Sequence, residues 1–189
     1  VRAAFAGRQG PLAIHYAIAA GTPPAGTWIT DPAVGGGRVV GEMCHFVDLC
    51  THFAGALPVR VFAHGLGRDP EHDDSVVATI GFADGSVATI EYLAQASAAL
   101  PKERFEVSAN GRTVRCDNFK TTEGHGARGV KGLNQDKGQA EAVARTLAAL
   151  REGAGSPIPL PEVDAVARAT FAILESLETG RAVDVAPRG

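Results

Sequence analysis

Proton-transferring side chains recur along one side of a predicted helix. From Gly35 the chain reads GGGRVVGEMCHFVDLCTHF. At about 100° per residue, Gly41, His45, Asp48 and His52 form one stripe of this helix, roughly opposite its apolar stripe. The helix dipole keeps an imidazole near the helix start neutral, which suits a proton acceptor near pH 7. The pattern favours acid–base chemistry at His45 if the stripe faces a cleft. A solvated polar face is the alternative.

The glycines before this helix do not form a nucleotide-binding motif. A dinucleotide fingerprint has glycines at its first, third and sixth positions, but the sixth position from Gly35 is Val40. A phosphate-binding loop has Gly-Lys-Ser/Thr where this chain has Gly41-Glu42-Met43. The sequence therefore assigns no cofactor-binding residues, and the glycines are interpreted as a tight turn into the helix that lets a ligand approach the backbone.

A metal site is not predicted. Glu42-x-x-His45 resembles half of a di-iron motif, but neither closing helix contains a histidine to complete it. His45, Asp48 and His52 lack the CxxC or HExxH spacing that is typical of zinc sites.

Composition indicates an ordinary globular domain. The 189 residues are 45% hydrophobic and 21% charged, with a net charge of -3. This charge argues against broad binding to nucleic acid or anionic membranes, and no apolar run reaches the ~18 residues of a membrane span. Three cysteines without CxxC spacing favour reduced thiols and a cytoplasmic protein. Because the chain begins with Val1, without Met or a signal-peptide pattern, we expect a piece of a longer polypeptide.

Hydrophobic patterning predicts a single α+β domain over residues 1–189. Apolar runs predict about six strands in an open, mostly antiparallel sheet, with hairpin turns at Asp84–Gly85 and Asn110–Gly111. We predict helices over residues 38–56, from a capping box at Asp136 and Gln139 to Gly153, and from Pro161 to Gly180, packed on one face. RAVDV near the end predicts a short edge strand.

The segment VATIEYLAQASAAL has few polar residues on either pleat face. A sheet that is apolar on both sides needs two covers, and the helices supply one. We therefore expect a homo-oligomer through the other face, unless its small alanines tolerate water.

The segment TWITDPAVGGGRVVGEMCHFVDLCTHFAGALPVRVFA resembles the C-terminal domain of the glucose–fructose oxidoreductase/inositol dehydrogenase/rhizopine-catabolism (Gfo/Idh/MocA) family. The similarity continues through the hairpins, DNF, DKG and ATFAILESLETG. The resemblance implies a missing N-terminal Rossmann domain that binds NAD or NADP, with a sugar, inositol or sugar-nucleotide substrate held between the domains. It also implies hydride transfer from a secondary alcohol, with His45 moving the hydroxyl proton.

The family's usual aspartate, four residues before this histidine, falls on Gly41 here, so Glu42 becomes the second catalytic candidate. Candidate substrate contacts are Trp28, Arg38, Tyr16, Asp48 and Lys137. Trp28 either stacks on a sugar ring or plugs its own loop. Arg38 and Lys137 are alternatively plain surface charges. The missing aspartate leaves a second hypothesis, a non-catalytic ligand-binding or dimerisation module.

Overall fold

Strands of alternating burial form a nine-stranded sheet. The computed structural model describes residues 1–22, 28, 32–67, 75–131 and 134–185. Buried and more exposed residues alternate along Val76–Phe82, the period that places one face of a strand on a core. The strands of the described residues are β1 Ala13–Ala19, β2 Pro58–Gly65, β3 Val76–Phe82, β4 Val87–Leu93, β5 Glu103–Ala109, β6 Arg112–Asp117, β7 Thr121–His125, β8 Val130–Lys131 and β9 Val183–Asp184.

The strand order is β8-β7-β6-β5-β1-β4-β3-β2-β9. β1 lies parallel to β4, and the other described pairs are antiparallel. Asp84–Gly85 joins β3 to β4 and Asn110–Gly111 joins β5 to β6, so both predicted hairpins are confirmed. The predicted count of six is too low because β7, TTEGH, is polar and β8 has only two residues, so neither shows an apolar alternation. They become strands because β7 pairs with β6 and β8 then pairs with β7.

Two long helices cover one face of the sheet. The helices of the described residues are α1 Pro32–Gly35, α2 Cys44–Ala54, α3 Gln139–Glu152 and α4 Leu160–Thr179, with a 3₁₀ turn at Arg2–Phe5 and a π-helical turn at Val39–Met43. α2 and α4 bury apolar side chains in one core with the inward residues of the strands. Gly55 and Gly180 end these helices in left-handed conformation, where glycine is favoured. The predicted α+β class is confirmed.

The third helix departs from the prediction. None of the residues of α3 is buried, so it does not pack on the sheet with the other two. The predicted capping box is also wrong, since Gly138 is the N-cap in left-handed conformation and makes no side-chain cap. The Asp136 carboxylate instead accepts a hydrogen bond from the Gly138 backbone N–H, which closes a turn just before the helix.

The face of the sheet away from the helices carries polar, small and apolar side chains, among them Phe62 and Val87, each 44% exposed. His15 is exposed near the middle of β1, the central strand, and its Nε2 lies 3.2 Å from Glu91 on β4. Thr89 is half-buried beside it and Thr79 is exposed on β3. Among the described residues, no helix is long and apolar enough to cross a membrane.

Candidate active site

A π-helical turn leads directly into the helix that carries His45. The turn spans Val39–Met43 and continues without a break into α2. π turns widen a helix locally and are frequent at functional sites. Gly36 and Gly37, just before it, have φ angles of 68° and 75°, a left-handed conformation that glycine adopts without steric cost. These glycines therefore turn the backbone into the helix.

The predicted polar stripe of this helix is confirmed as its outer side. Gly41, His45 and His52 are exposed and Asp48 is half-buried, whereas the interleaved apolar side chains lie in the core. In the described part of the chain, no hydrogen bond or ion pair joins the His45 imidazole to another side chain. His45 is also exposed, so its imidazole is accessible from outside the domain. Burial and the nearby Arg2 lower the pKa of His52, at the other end of the stripe.

Glu42 faces the protein interior and not His45. Its Oε1 lies 3.5 Å from Nε of Arg38, one turn earlier. The Arg38 guanidinium is itself buried, donates to the Gly21 carbonyl oxygen at 2.8 Å and lies 4.9 Å above the Tyr92 ring. Burial and the Glu42 carboxylate raise the pKa of Tyr92. These three side chains form a polar cluster, here named the Arg38 cluster, under the start of α2.

Tyr16 and Lys137 meet at a buried carboxylate. The Tyr16 hydroxyl donates to Oε2 of Glu103, and the Lys137 ammonium donates to Oε1 of the same group. Glu103 is 7% exposed, and the Lys137 ammonium also lies 5.5 Å from the centre of the Phe119 ring. Burial and Glu103 raise the pKa of Tyr16 far above its ordinary value. We name this trio the Glu103 cluster.

Phe46 connects the two clusters. Its ring centre lies 5.2 Å from that of Tyr16, edge to face, and 5.9 Å from that of Tyr92. Phe46 follows His45 directly, so the imidazole leaves α2 at the point where both clusters support the helix from below. Aromatic contacts of this kind add specific geometry to apolar burial. The start of α2 is thus held on two sides.

Both clusters lie at one end of the sheet. Arg38 binds Gly21, just after β1 ends, and Glu103 opens β5 opposite Ile18, near the end of β1. The other end of α2 lies at the opposite end of the sheet. There the Arg8 guanidinium donates both to the Ala54 carbonyl oxygen and to the Asp84 carboxylate in the β3–β4 turn. α2 therefore runs antiparallel to β1, and His45 lies at the end of the sheet where β1 and β4 finish.

Trp28 packs on a glycine close to this helix. It is 63% exposed. A Cβ on Gly35 would lie 2.4 Å from the Trp28 carbonyl oxygen and 3.1 Å from its ring atom Cε3. Because real Cβ atoms do not approach other atoms so closely, only glycine leaves room for this contact. Trp28 thus both packs on Gly35 and exposes aromatic surface, so neither predicted role excludes the other.

The structure brings some predicted residues together and separates others. Arg38 with Glu42, and Tyr16 with Lys137, form pairs, while His45 is not bonded to any of them in the described part of the chain. Sequence reasoning missed Glu103 and Tyr92. The sequence could have indicated Glu103, because it alternates with Phe105 and Val107 on the inward side of β5, where a charged residue is unusual.

The described residues contain no group of three acidic, histidine or cysteine side chains placed to hold a metal ion. They also do not form a strand, glycine loop and helix that would cradle a dinucleotide. The three glycines at residues 35–37 follow a helical turn and lead into a π turn. A nicotinamide cofactor therefore does not fit a site made by the described residues alone.

Comparison of sequences identifies the family. The sequence model of the GFO/IDH/MocA C-terminal domain matches residues 7–115, which include the start of α2 and both clusters except Lys137. The chain belongs to this family. Among curated proteins, no sequence matches the chain.

Solved structures share the fold of this GFO/IDH/MocA C-terminal domain. An aldose-aldose oxidoreductase from Caulobacter crescentus, complexed with glycerol, is 18% identical with a TM-score of 0.75 over 93% of this chain and 56% of its own. A putative myo-inositol dehydrogenase from Sinorhizobium meliloti is 19% identical with a TM-score of 0.73, over 98% and 61%. A levoglucosan dehydrogenase in complex with NADH is 19% identical with a TM-score of 0.74, over 95% and 59%. The chain spans less than two thirds of the length of these structures.

Proposed function

We propose that this chain is the substrate-binding and proton-transfer part of an NAD(P)-dependent oxidoreductase acting on a secondary alcohol of a sugar, inositol or sugar-nucleotide-like substrate. The observation that carries the proposal is the exposed His45 imidazole at the supported start of α2. Family membership supports it, as do structural neighbours named as an aldose-aldose oxidoreductase, a putative myo-inositol dehydrogenase and a levoglucosan dehydrogenase.

The chemistry needs a proton acceptor beside the reacting carbon. When an alcohol becomes a ketone, the C–H hydrogen leaves with two electrons as hydride and the O–H hydrogen leaves as a proton. A nicotinamide cofactor held by the rest of the polypeptide would supply the hydride acceptor. A ring nitrogen of His45 takes the hydroxyl proton and returns it in the reverse reaction. An imidazole suits both directions near neutral pH because its ordinary pKa is about 6.5.

The remaining site residues divide by exposure. Trp28, Asp48 and Lys137 keep surface that a sugar can reach, so we assign them to substrate contact. Arg38 and Tyr16 are buried and bonded within the protein, so they act by positioning α2. We place Glu42 with them, since its carboxylate is held by Arg38 rather than beside His45.

The cofactor-binding part belongs to a longer polypeptide in this proposal. An N-terminal Rossmann domain of the same polypeptide binds NAD or NADP and completes the cleft over His45. Two of the three unpaired cysteines are buried, and none is oxidised to a disulfide, which agrees with a cytoplasmic setting. This chain by itself is expected to be inactive.

The test replaces His45 with Asn in the full-length polypeptide. We expect NAD(P)-linked oxidation of sugars, inositol or sugar nucleotides to fall by roughly 10²- to 10⁴-fold, the usual contribution of a general base, with substrate binding largely kept. His125→Asn, an exposed histidine on β7, is the matched control. If His45→Asn turns over as fast as the wild type, His45 has no part in the mechanism.

A second function is favoured by one observation. Gly41 places no carboxylate one turn before His45, and Glu42 faces inward, so the described residues give the imidazole no acidic partner. A non-catalytic ligand-binding or dimerisation module would look the same. Absence of turnover by the wild-type polypeptide on every substrate class above, with ligand binding retained, would favour this module.

A further inference from the structure

The stripe of α3 formed by Val143, Leu147 and Leu150 is apolar and uncovered. These side chains are 59%, 44% and 73% exposed, and they lie at i, i+4 and i+7, the spacing of one helix side. The opposite side carries the ion pair between Arg145 and Glu141, 2.7 Å apart. A helix with one apolar and one charged side ordinarily buries the apolar side against another element. Within the described residues nothing buries this one.

The segment just before α3, residues 135–137 and here named the root of α3, is nevertheless bonded to the rest of the domain. Lys137, two residues before the helix, is bonded to the buried Glu103 carboxylate. The Gln135 amide donates to the Asn118 carbonyl oxygen at 2.9 Å, and the Asp136 backbone N–H donates to the Phe119 carbonyl oxygen at 3.2 Å. At the other end, Gly153 caps the helix in left-handed conformation. The stripe is therefore presented in a defined place rather than on a loose tail.

This root lies at the same end of the sheet as His45. The Glu103 cluster holds both the root of α3 and, through Tyr16 and Phe46, the start of α2. Whatever brings a hydride acceptor to His45 must approach this end of the sheet. It therefore comes close to the base of α3 as well.

We propose that the Val143–Leu147–Leu150 stripe seats the nucleotide-binding portion of the same polypeptide, and this inference rests on the proposed function. The solved structures with this fold extend well beyond the matched region, since this chain spans only 56–61% of them. The extra chain supplies the length for such a partner. The Glu103 cluster then positions two parts of the domain at once. Through Tyr16 and Phe46 it positions the helix that carries His45 beside the reacting carbon, and through Lys137 it positions α3 against the incoming domain.

The test measures hydrogen–deuterium exchange of residues 139–152 in the full-length polypeptide. We expect slow exchange in the wild type and exchange at least roughly tenfold faster in Leu147→Glu, because a charge in the contact opens it and exposes the helix. Ala148→Glu, on the opposite and exposed side of α3, is the matched control and leaves exchange unchanged. Exchange in α2 and β1 reports whether the fold survives each change.

Each outcome decides the inference. Equal exchange in Leu147→Glu and Ala148→Glu overturns it. Protection of 139–152 that disappears on dilution, together with a fall in mass by light scattering, assigns the stripe to a second copy and also overturns it. His45→Asn separates this proposal from the proposed function, because it abolishes turnover while the protection of α3 remains. Loss of protection in Leu147→Glu in an enzyme whose His45→Asn variant is fully active would keep the docking surface and remove the catalytic role.

Discussion

At the scale of single residues, Glu103 is the side chain on which the site is organised. A carboxylate buried to this degree is costly unless it is paired and hydrogen-bonded. Tyr16 and Lys137 supply both, from positions 87 and 34 residues away in sequence. The consequence is that Lys137, a residue of a connecting segment, is held to β5 and is linked through the Glu103 carboxylate to Tyr16 on β1.

Tyr16→Phe tests this arrangement through pH. Burial and Glu103 raise the pKa of Tyr16, so the folded state keeps the phenol proton while the unfolded chain releases it above pH ~10. The unfolded state then binds fewer protons, and the free energy of unfolding falls as pH rises, by about 1.4 kcal/mol per pH unit for one such group. Tyr16→Phe is expected to flatten this fall, measured by urea unfolding between pH 8 and 11.

The control for this prediction is Tyr92→Phe. The Tyr92 pKa is also raised by burial, so this variant flattens the alkaline fall as well. At neutral pH the two differ. Tyr16→Phe removes a donor to buried Glu103 and costs about 1–2 kcal/mol. The buried Tyr92 hydroxyl lies near Glu42 and Arg38 but makes no hydrogen bond of normal distance and angle among the described residues, so its loss costs less. Equal costs at neutral pH would contradict the role given to Glu103.

At the scale of elements, the approach to α2 decides where His45 points. The glycines at residues 35–37, the π turn and the buried Arg38 guanidinium act in succession over a short stretch. Each restricts the backbone in its own way: Gly35 by its close contact with Trp28, Gly36 and Gly37 by their left-handed backbone, and Arg38 by its bonds to Gly21 and Glu42. The helix therefore starts at a defined angle over Phe46.

Gly35→Ala tests the first of these constraints. The new Cβ would overlap the Trp28 carbonyl oxygen, so the Trp28 segment must move. Trp28 is the single tryptophan of the chain, so within this part of the polypeptide the fluorescence change reports on that segment. We expect a shift in tryptophan emission and a KM for the alcohol substrate raised several-fold, with the melting temperature little changed.

Gly155→Ala is the matched control, since a Cβ there meets nothing within 4 Å and its φ is not left-handed. It is expected to leave emission and KM unchanged. An unaltered emission spectrum in Gly35→Ala would show that Trp28 does not rest on Gly35 in solution.

At the scale of the whole molecule, the helices cover one face of the sheet and leave the other exposed. We propose a homo-oligomer through the exposed face. This face presents Phe62 and Val87, each 44% exposed, beside Thr79, Thr89 and His15. Exposed apolar side chains on a sheet face are ordinarily covered by a second layer, and two sheets pack face to face about 10 Å apart.

Thr89→Arg tests the oligomer. A bulky charge at the middle of the face is expected to convert a dimer or larger assembly to monomer, measured by light scattering at several concentrations, because an unpaired charge in an interface is costly. Ala83→Arg, exposed in the β3–β4 turn, adds the same charge away from the face and should leave the mass unchanged. A wild type that stays monomeric at high concentration contradicts the proposal.

The sequence by itself determined the features that depend on neighbouring residues. Asp84–Gly85 and Asn110–Gly111 specify tight hairpins because their turns need residues that accept positive φ. The helical periodicity predicted the exposed stripe that contains His45, and the motif around His45 indicated the family. Only the tertiary structure decided that Glu42 faces Arg38, that Tyr16 and Lys137 meet at Glu103, and that α3 stands uncovered. These outcomes depend on partners distant in sequence, and local patterns carry no information about which distant group fills a given place.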